Sequence, residues 1–315
     1  MKISFITTIF NEAGTITNFL ESLLFQTLLP DEIIIVDGGS TDKTVSLIHE
    51  FNFPVAKNKV KILIKKGNRS IGRNEAIRHA TCDVIICSDA GNVLDKDWIK
   101  KITEPFHDRK VDVVAGYYKG LAQNTFQKSL IPYVLVMPDR VNPHDFLPAT
   151  RSVAFRKAIW EKVGGFDEKL SHNEDYAFAK NLKKSGANIV FAKDAIVYWI
   201  PRSTLKQTYV MFLRFAYGDA EARIFRPKVL LIFLRYLVII SLFFLYSSSC
   251  NGIYLITIVL FFFAYIIWAT MKNYRYVEDP SAFFFLPFLQ FIADIGVMHG
   301  TISGLLGLWD TKKMS

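Results

Sequence analysis

Two almost continuous apolar runs, Val229–Tyr246 and Ile253–Met271, are each about the length that crosses a bilayer as a helix. Only Ser247-Ser248-Ser249-Cys250-Asn251-Gly252 separates them. A buried helical core is the other reading, but they adjoin one another with little else to cover them. The first run contains Arg235, which is expensive in hydrocarbon unless it snorkels or pairs. The uncharged turn between the runs should face outside, and Lys272 and Arg275 should face inside. A third stretch, Phe283–Trp309, carries Pro287, Asp294, His299 and several glycines. If it spans, Lys312 and Lys313 end up outside, against the positive-inside tendency; a re-entrant or interfacial hairpin keeps them inside. Both readings stay open.

The 315 residues therefore divide into a domain at 1–200, a linking region at 201–228 and a membrane domain at 229–315. In the linking region Tyr209, Phe212, Leu213, Phe215 and Ala216 stand among Lys206, Arg214, Arg223 and Arg226. This is the pattern of a basic amphipathic helix in the membrane interface, or of a helix packed on the soluble domain. No secretory signal is read at the start, because Met1-Lys2-Ile3-Ser4 begins a strand-like alternation, so the first domain is expected in the cytoplasm. Three scattered cysteines (Cys82, Cys87, Cys250) lack metal-ligand spacing. The net charge of +9 comes without a basic stripe interleaved with exposed aromatics. Nucleic acid is excluded as a partner on that ground; anionic lipid headgroups and a phosphorylated substrate suit the charge better.

Within residues 1–200, strand and helix patterns alternate. Lys2–Thr8 reads as a strand, and Ala13 to Leu24 as an amphipathic helix. Glu32–Asp37 is an apolar strand of the doubly covered kind, and Thr44–Phe51 returns as a helix. Val60–Ile64 and Val84–Cys87 are the next strands. This spacing predicts an α/β fold with a mostly parallel sheet. Ligands bind such sheets outside the carboxyl ends of the strands. Ser88-Asp89 follows one such end, where a carboxylate is placed to hold a divalent cation against a phosphate, or simply to cap the next turn. Arg69 and Arg73 share a face of a helix's first turn, as a phosphate clamp or as solvated surface cations. The stretch Gly120–Thr150, rich in proline, reads as a loop region able to carry acceptor contacts.

Five segments in order resemble family 2 glycosyltransferases of the GT-A fold. They are Thr7-Thr8-Ile9-Phe10-Asn11-Glu12, Ile35-Val36-Asp37-Gly38-Gly39-Ser40-Thr41-Asp42, Ser88-Asp89-Ala90-Gly91, Val163-Gly164-Gly165-Phe166-Asp167-Glu168 and Asn173-Glu174-Asp175. The resemblance implies that Thr8, Asn11, Glu12, Asp37, Ser40, Arg69, Arg73, Ser88 and Asp89 form the donor pocket. Asp37 is expected at the base and ribose, or as a cap of its own loop. Asp89 matches the first Asp of the family's Asp-X-Asp motif, which holds Mg²⁺ or Mn²⁺; the second Asp is replaced by Gly91, with Asn92 as a substitute ligand. Glu174 and Asp175 match the acceptor-side acidic pair, with Asp175 as catalytic base; the alternative is a helix cap.

These readings predict a membrane-anchored, inverting transferase of the cytoplasmic membrane. It would move a sugar from a nucleoside-diphosphate sugar, foremost a UDP-sugar, to a lipid-linked or glycan acceptor. Arg202, Arg214 and Arg223 are the candidates for an acceptor lipid's phosphate. Gln207 and Arg214 lie where processive members carry Gln-X-X-Arg-Trp; that motif is absent, which predicts single transfer. The rivals are a non-catalytic nucleotide-sugar-binding scaffold, favoured by Gly91, and a nucleotidyltransferase, which would want a lysine in a glycine-rich loop where Asn11–Thr15 has none.

Overall fold

The computed structural model describes residues 1–51, 53 and 60–308. They fall into two units, Met1–Leu121 with Val136–Ile200, and Ala122–Leu135 with the chain from Pro201 onward.

The first unit is built on β1 (Ile3–Ile9) and β2 (Glu32–Asp37), the latter buried at every position. A strand that reads Ile-Ile-Ile-Val needs cover on both faces, and the helices provide it. Between them α1 (Ile16–Leu24) turns Ile16, Phe19, Leu20 and Leu23 inward, spaced three, one and three residues apart as one helical face requires. Then follow α2 (Thr44–Glu50), β3 (Val60–Ile64), α3 (Arg69–His79) and β4 (Val84–Cys87). The order β3-β2-β1-β4 is parallel throughout. The chain continues through β5 (Asn92–Leu94), α4 (Trp98–Thr103), β6 (Val113–Gly120), α5 (Thr125–Val134), β7 (Val153–Arg156), α6 (Lys157–Val163), α7 (Glu174–Lys184) and β8 (Ile189–Trp199).

These later strands extend the sheet as β7-β6-β8-β5. β7 runs antiparallel to both β4 and β6, while β6 and β8 are parallel. Phe5 and Ile6, adjacent on β1, enter different apolar layers: Phe5 joins Phe19 and Trp98, and Ile6 joins Ile34, Phe155 and Phe178. The antiparallel return decides where the site can form. With Cys87 opposite Val153, residues 150–152 arrive beside the carboxyl end of β4. Gly116 allows this approach, since a Cβ there would lie 2.0 Å from Ser152 Oγ and 2.9 Å from the Ala195 carbonyl oxygen. Trp98 Nε1 donates to the same Ser152 Oγ at 2.9 Å.

In the second unit α5 lies with α8 (Leu205–Glu221), α9 (Pro227–Ser249), α10 (Gly252–Tyr274) and α11 (Ala282–Leu306). Sequence places residues 122–135 in the first domain; here α5 packs on α10 and α11 instead. Its Tyr133 hydroxyl donates to the Leu286 carbonyl at 2.7 Å. Among the described residues three helices, α9, α10 and α11, are long and apolar enough to cross a membrane. The re-entrant hairpin is not found: residues 282–306 form one helix of 25 residues that continues through Pro287 in its second turn. Trp309, Lys312 and Lys313 lie outside the described residues.

Nor is α8 a solitary interfacial helix. Gly296, Gly300 and Gly304, four residues apart on one face of α11, admit its backbone. Cβ atoms at these glycines would lie 3.0 Å from Phe212 Cβ, 2.1 Å from the Leu213 carbonyl oxygen and 2.7 Å from Ala220 Cβ. Arg235 on α9 has found a partner, bonding Asp294 of α11 at 2.7 Å. The same carboxylate accepts from Tyr265 of α10 at 3.0 Å and from Gln290 at 2.8 Å.

Gly300→Ala should push α8 and α11 apart and destabilise the second unit by about 1–3 kcal/mol, read as a lower melting temperature of the detergent-solubilised protein. An unchanged melting temperature would contradict the close helix contact.

Candidate active site

The site grows from the carboxyl ends of the parallel strands. Gly72 lets α3 lie against β1, because a Cβ there would come within 2.7 Å of the Thr8 methyl. Asn68 caps the helix by accepting from Ile71 N at 3.0 Å. This approach buries Arg73, which is 2 % exposed, while Arg69 one turn earlier stays in solvent. Arg73 Nη1 donates to Glu174 Oε1 at 2.5 Å and Nη2 to Asp89 Oδ1 at 2.9 Å. Its guanidinium stands 5.6 Å from the Phe166 ring centre, and Nε has no partner. The expected pair of phosphate-clamping arginines is thus split. Arg73 gathers carboxylates, and Arg69 alone is left at the surface.

Glu174 and Asp175 open α7, after Asn173 in the left-handed conformation (φ 55°). That turn sends the buried Glu174 to Arg73 and leaves Asp175 half-buried, with Oδ1 accepting from Tyr176 N at 2.8 Å. The two carboxylates are driven in opposite directions. Burial opposes ionisation of Glu174, but Arg73 and then Arg69 outweigh it and hold its pKa below the usual value. Burial raises Asp175 above its ordinary value of 3.8, and the negative charges of Glu174 and Asp89 raise it further. Burial likewise opposes the charge on Asp89, and Arg73, Arg69 and Arg151 overcome it and keep that pKa low. One edge of the sheet therefore holds two carboxylates whose pKa values are held down beside a third whose pKa is raised. Such a separation of acidities marks acid–base sites.

Asp37 does not present an open carboxylate. Its Oδ1 and Oδ2 accept from Gly39 N, Ser40 N and Ser40 Oγ, the last at 2.6 Å. It builds its own loop, as the capping alternative expects. Ser40 Oγ also accepts from Asn11 N at 2.9 Å, and Asn11 Oδ1 accepts from Thr41 N at 2.9 Å, so the ends of β1 and β2 are stitched together. Asn11 holds φ 54° to make that bond. Ser88 is fully buried and donates to the Arg151 carbonyl at 2.8 Å. Asn92, buried at the start of β5, donates from its amide nitrogen to Ser88 Oγ at 3.4 Å.

The acceptor-side arginines are not brought together. Arg202 precedes α8 and Arg223 follows it, and a 17-residue helix separates them by about 25 Å. A single phosphate cannot bridge that span. Sequence reading also missed Thr150 and Arg151. Thr150 Oγ1 donates to Asp89 Oδ1 at 3.3 Å, and Arg151 lies over the Tyr118 and Trp199 rings at 5.2 and 5.7 Å. The signal was an arginine two residues before the apolar Val153-Ala154-Phe155; what concealed it was the antiparallel return of β7.

A divalent cation would find Asp89 as its main protein ligand here. Gly91 supplies no side chain, although Glu12 Oε2 lies 3.9 Å from where a Cβ at Gly91 would stand. Among the described residues no group of three or more His, Cys, Asp or Glu is placed to hold a metal. This set fits a cation held largely by phosphate oxygens and does not fit a closed protein cage.

Residues 4–162 match the model of glycosyl transferase family 2, and residues 84–290 that of glycosyl transferase family group 2. The chain is 25 % identical over 302 residues to a poly-β-1,6-N-acetyl-D-glucosamine synthase of Staphylococcus epidermidis, covering 93 % of this chain and 72 % of that protein. It is 25 % identical over 221 residues to an O-antigen chain rhamnosyltransferase of Salmonella typhimurium, covering 62 % and 66 %. Among solved structures, the mannosyltransferase PcManGT of Pyrobaculum calidifontis, in complex with GDP-Man and Mn²⁺, superposes with TM-score 0.61 at 17 % identity, covering 99 % of this chain and 88 % of that one. Residues 1–349 of S. aureus TarS give TM-score 0.51 at 17 % identity, covering 98 % and 92 %. These likenesses establish the GT-A fold.

Arg73→Met strands the buried Glu174 without its counter-ion and should lower stability by about 3–5 kcal/mol, measured by denaturant or thermal unfolding in detergent. A change below about 1 kcal/mol would show that the ion pairs are not what holds α3, β4 and α7 together.

Proposed function

The chain belongs to glycosyl transferase family 2, and from that premise we propose that it transfers a sugar, with inversion, from a nucleoside-diphosphate sugar to an acceptor hydroxyl activated by Asp175. The observation that carries this reading is the place of Asp175 in the first turn of α7, next to Glu174, whose partner Arg73 also bonds Asp89; burial and the charges of Glu174 and Asp89 raise its pKa. A carboxylate shifted upward is a stronger base once ionised, and it must be ionised to act. In the proposed step Asp175 takes the hydroxyl proton as the acceptor oxygen forms its bond to the anomeric carbon. The bond from that carbon to the phosphate oxygen breaks on the opposite face, and the nucleoside diphosphate leaves with the electron pair. Asp89, Arg73 and Glu174 hold the geometry. A Mg²⁺ or Mn²⁺ ion on Asp89 would neutralise the leaving diphosphate when bound.

The donor's base is left to experiment. The expectation of a UDP-sugar rested partly on Asp37, whose carboxylate is occupied by its own turn. A lipid-linked or glycan acceptor is supported by the three candidate membrane helices of the second unit. The amino end of α9 and the carboxyl end of α10 carry Arg226, Lys228, Lys272 and Arg275, and the positive-inside tendency supports a cytoplasmic location for those helix ends. Single transfer is supported by the missing Gln-X-X-Arg-Trp motif. Repeated addition is favoured by the relatives named as poly-N-acetylglucosamine synthases, and the length of the product decides between the two.

Asp175→Asn should reduce transfer by roughly 10²- to 10⁴-fold while nucleotide binding, titrated with UDP, GDP, dTDP and CMP with and without Mn²⁺, stays within about twofold of wild type. Full transfer by this variant would remove Asp175 from the mechanism.

Because the active form is the carboxylate, kcat/KM should fall as the pH drops through a pKa above 3.8. Glu174→Gln removes one of the charges that raise it and should move this acid limb to lower pH. An acid limb that stays in place would mean that another group controls it.

A further inference from the structure

Arg73 and Arg151 both bring positive charge to Asp89, but they are held in different states. Arg73 is fully buried, with both terminal nitrogens bonded to carboxylates. Arg151 is half-buried and makes no side-chain hydrogen bond or ion pair among the described residues. It is nonetheless fixed in place. Ser88 Oγ donates to its carbonyl at 2.8 Å, and the adjacent Thr150 donates to Asp89. Its guanidinium lies against two aromatic faces, Tyr118 at 5.2 Å and Trp199 at 5.7 Å. A guanidinium held by its face keeps its in-plane N–H donors for a planar or tetrahedral anion. The Arg151 charge is felt at Asp89, at Asp175 and at the Tyr118 hydroxyl.

The reaction leaves a nucleoside diphosphate at an edge where Asp89 and Glu174 are already anionic. With Gly91 in place of a second carboxylate, a cation there has few protein ligands. We infer that Arg151, poised on Tyr118 and Trp199, is a direct ligand of the donor's diphosphate and neutralises it as the glycosidic bond breaks. The inference rests on the glycosyl-donor reading above. It assigns Arg151 the charge-neutralising task that sequence alone gave to Arg69 and Arg73. An acceptor lipid's phosphate has the same chemistry, so the test omits any acceptor.

The full-length protein in detergent is titrated calorimetrically with UDP, GDP, dTDP and CDP, and with the nucleoside of whichever binds best, with and without Mn²⁺. Arg151→Gln should weaken the diphosphate roughly 10- to 100-fold and leave the nucleoside unchanged. Arg151→Lys should recover part of the loss, because charge survives without the planar fork. Diphosphate binding by Arg151→Gln within twofold of wild type would overturn the inference and leave the glycosyl-donor reading standing. Equal losses of nucleoside and diphosphate in both variants would also overturn it, showing that Arg151 only supports the pocket's shape. A folded wild type that binds none of the diphosphates would sink the donor reading, and this inference with it.

Discussion

A guanidinium that is 2 % exposed, with one terminal nitrogen on Asp89 and the other on Glu174, ties three separate elements together. Asp89 ends β4, Glu174 opens α7, and Arg73 comes from α3. Left to themselves, Asp89, Glu174 and Asp175 would repel one another at the end of a sheet, where burial already disfavours charge. Arg73 reverses that balance for two of them, and the third inherits their negative field. The acidity difference needed for general base chemistry is therefore a consequence of the same ion pairs that fix the backbone. Removing the cation would disturb the fold and the chemistry together, as expected where one buried charge serves several elements.

A second constraint comes from a missing side chain. β7 can return antiparallel beside β4 only if β6 lets Ser152 lie flat against it, and Gly116 is the position that permits this. The return delivers Thr150 to Asp89 and sets Arg151 on Tyr118 and Trp199. The site thus has a rigid half, Arg73 with its carboxylates, and a half with unused donors, Arg151 on its aromatic platform. The division suits a reaction in which charge moves onto a leaving group. In the proposed step, fixed dipoles and ions would hold the reacting geometry, and a cation with available N–H groups would meet the charge that develops.

How much of this could be read beforehand follows from the range of each interaction. β2 and β4 were legible because doubly covered parallel strands write continuous apolar runs, β1 was legible from its alternation, and the carboxylates that follow β2 and β4 were legible from those boundaries. Glu174 and Asp175 were found through a resemblance rather than by periodicity. What escaped was long-range. Nothing local distinguishes Arg73, which is buried, from Arg69, which is exposed; the difference arises because Gly72 lets one face of α3 approach Thr8. Likewise Arg151 is an ordinary residue before a strand until the antiparallel pairing of β7 places it. Asp37 shows the opposite case, a local turn interaction of the kind that the loop-cap reading had anticipated.

The second unit repeats this logic in apolar surroundings. Hydrophobicity does not drive helices together within lipid, so close packing and polar contacts must do so. The glycines of α11 supply the first by admitting the α8 backbone. Asp294 supplies the second, accepting from Arg235 of α9, Tyr265 of α10 and Gln290 of its own helix. Arg235 also lies 4.8 Å from the Trp268 ring centre, so its charge is met by a carboxylate and an aromatic face at once. Each device alone leaves a polar group or a gap in a helix that is otherwise apolar. Combined on α11, they make that helix the one to which α8, α9 and α10 are all joined, which explains why it is the least apolar and the most buried of the three candidate spans.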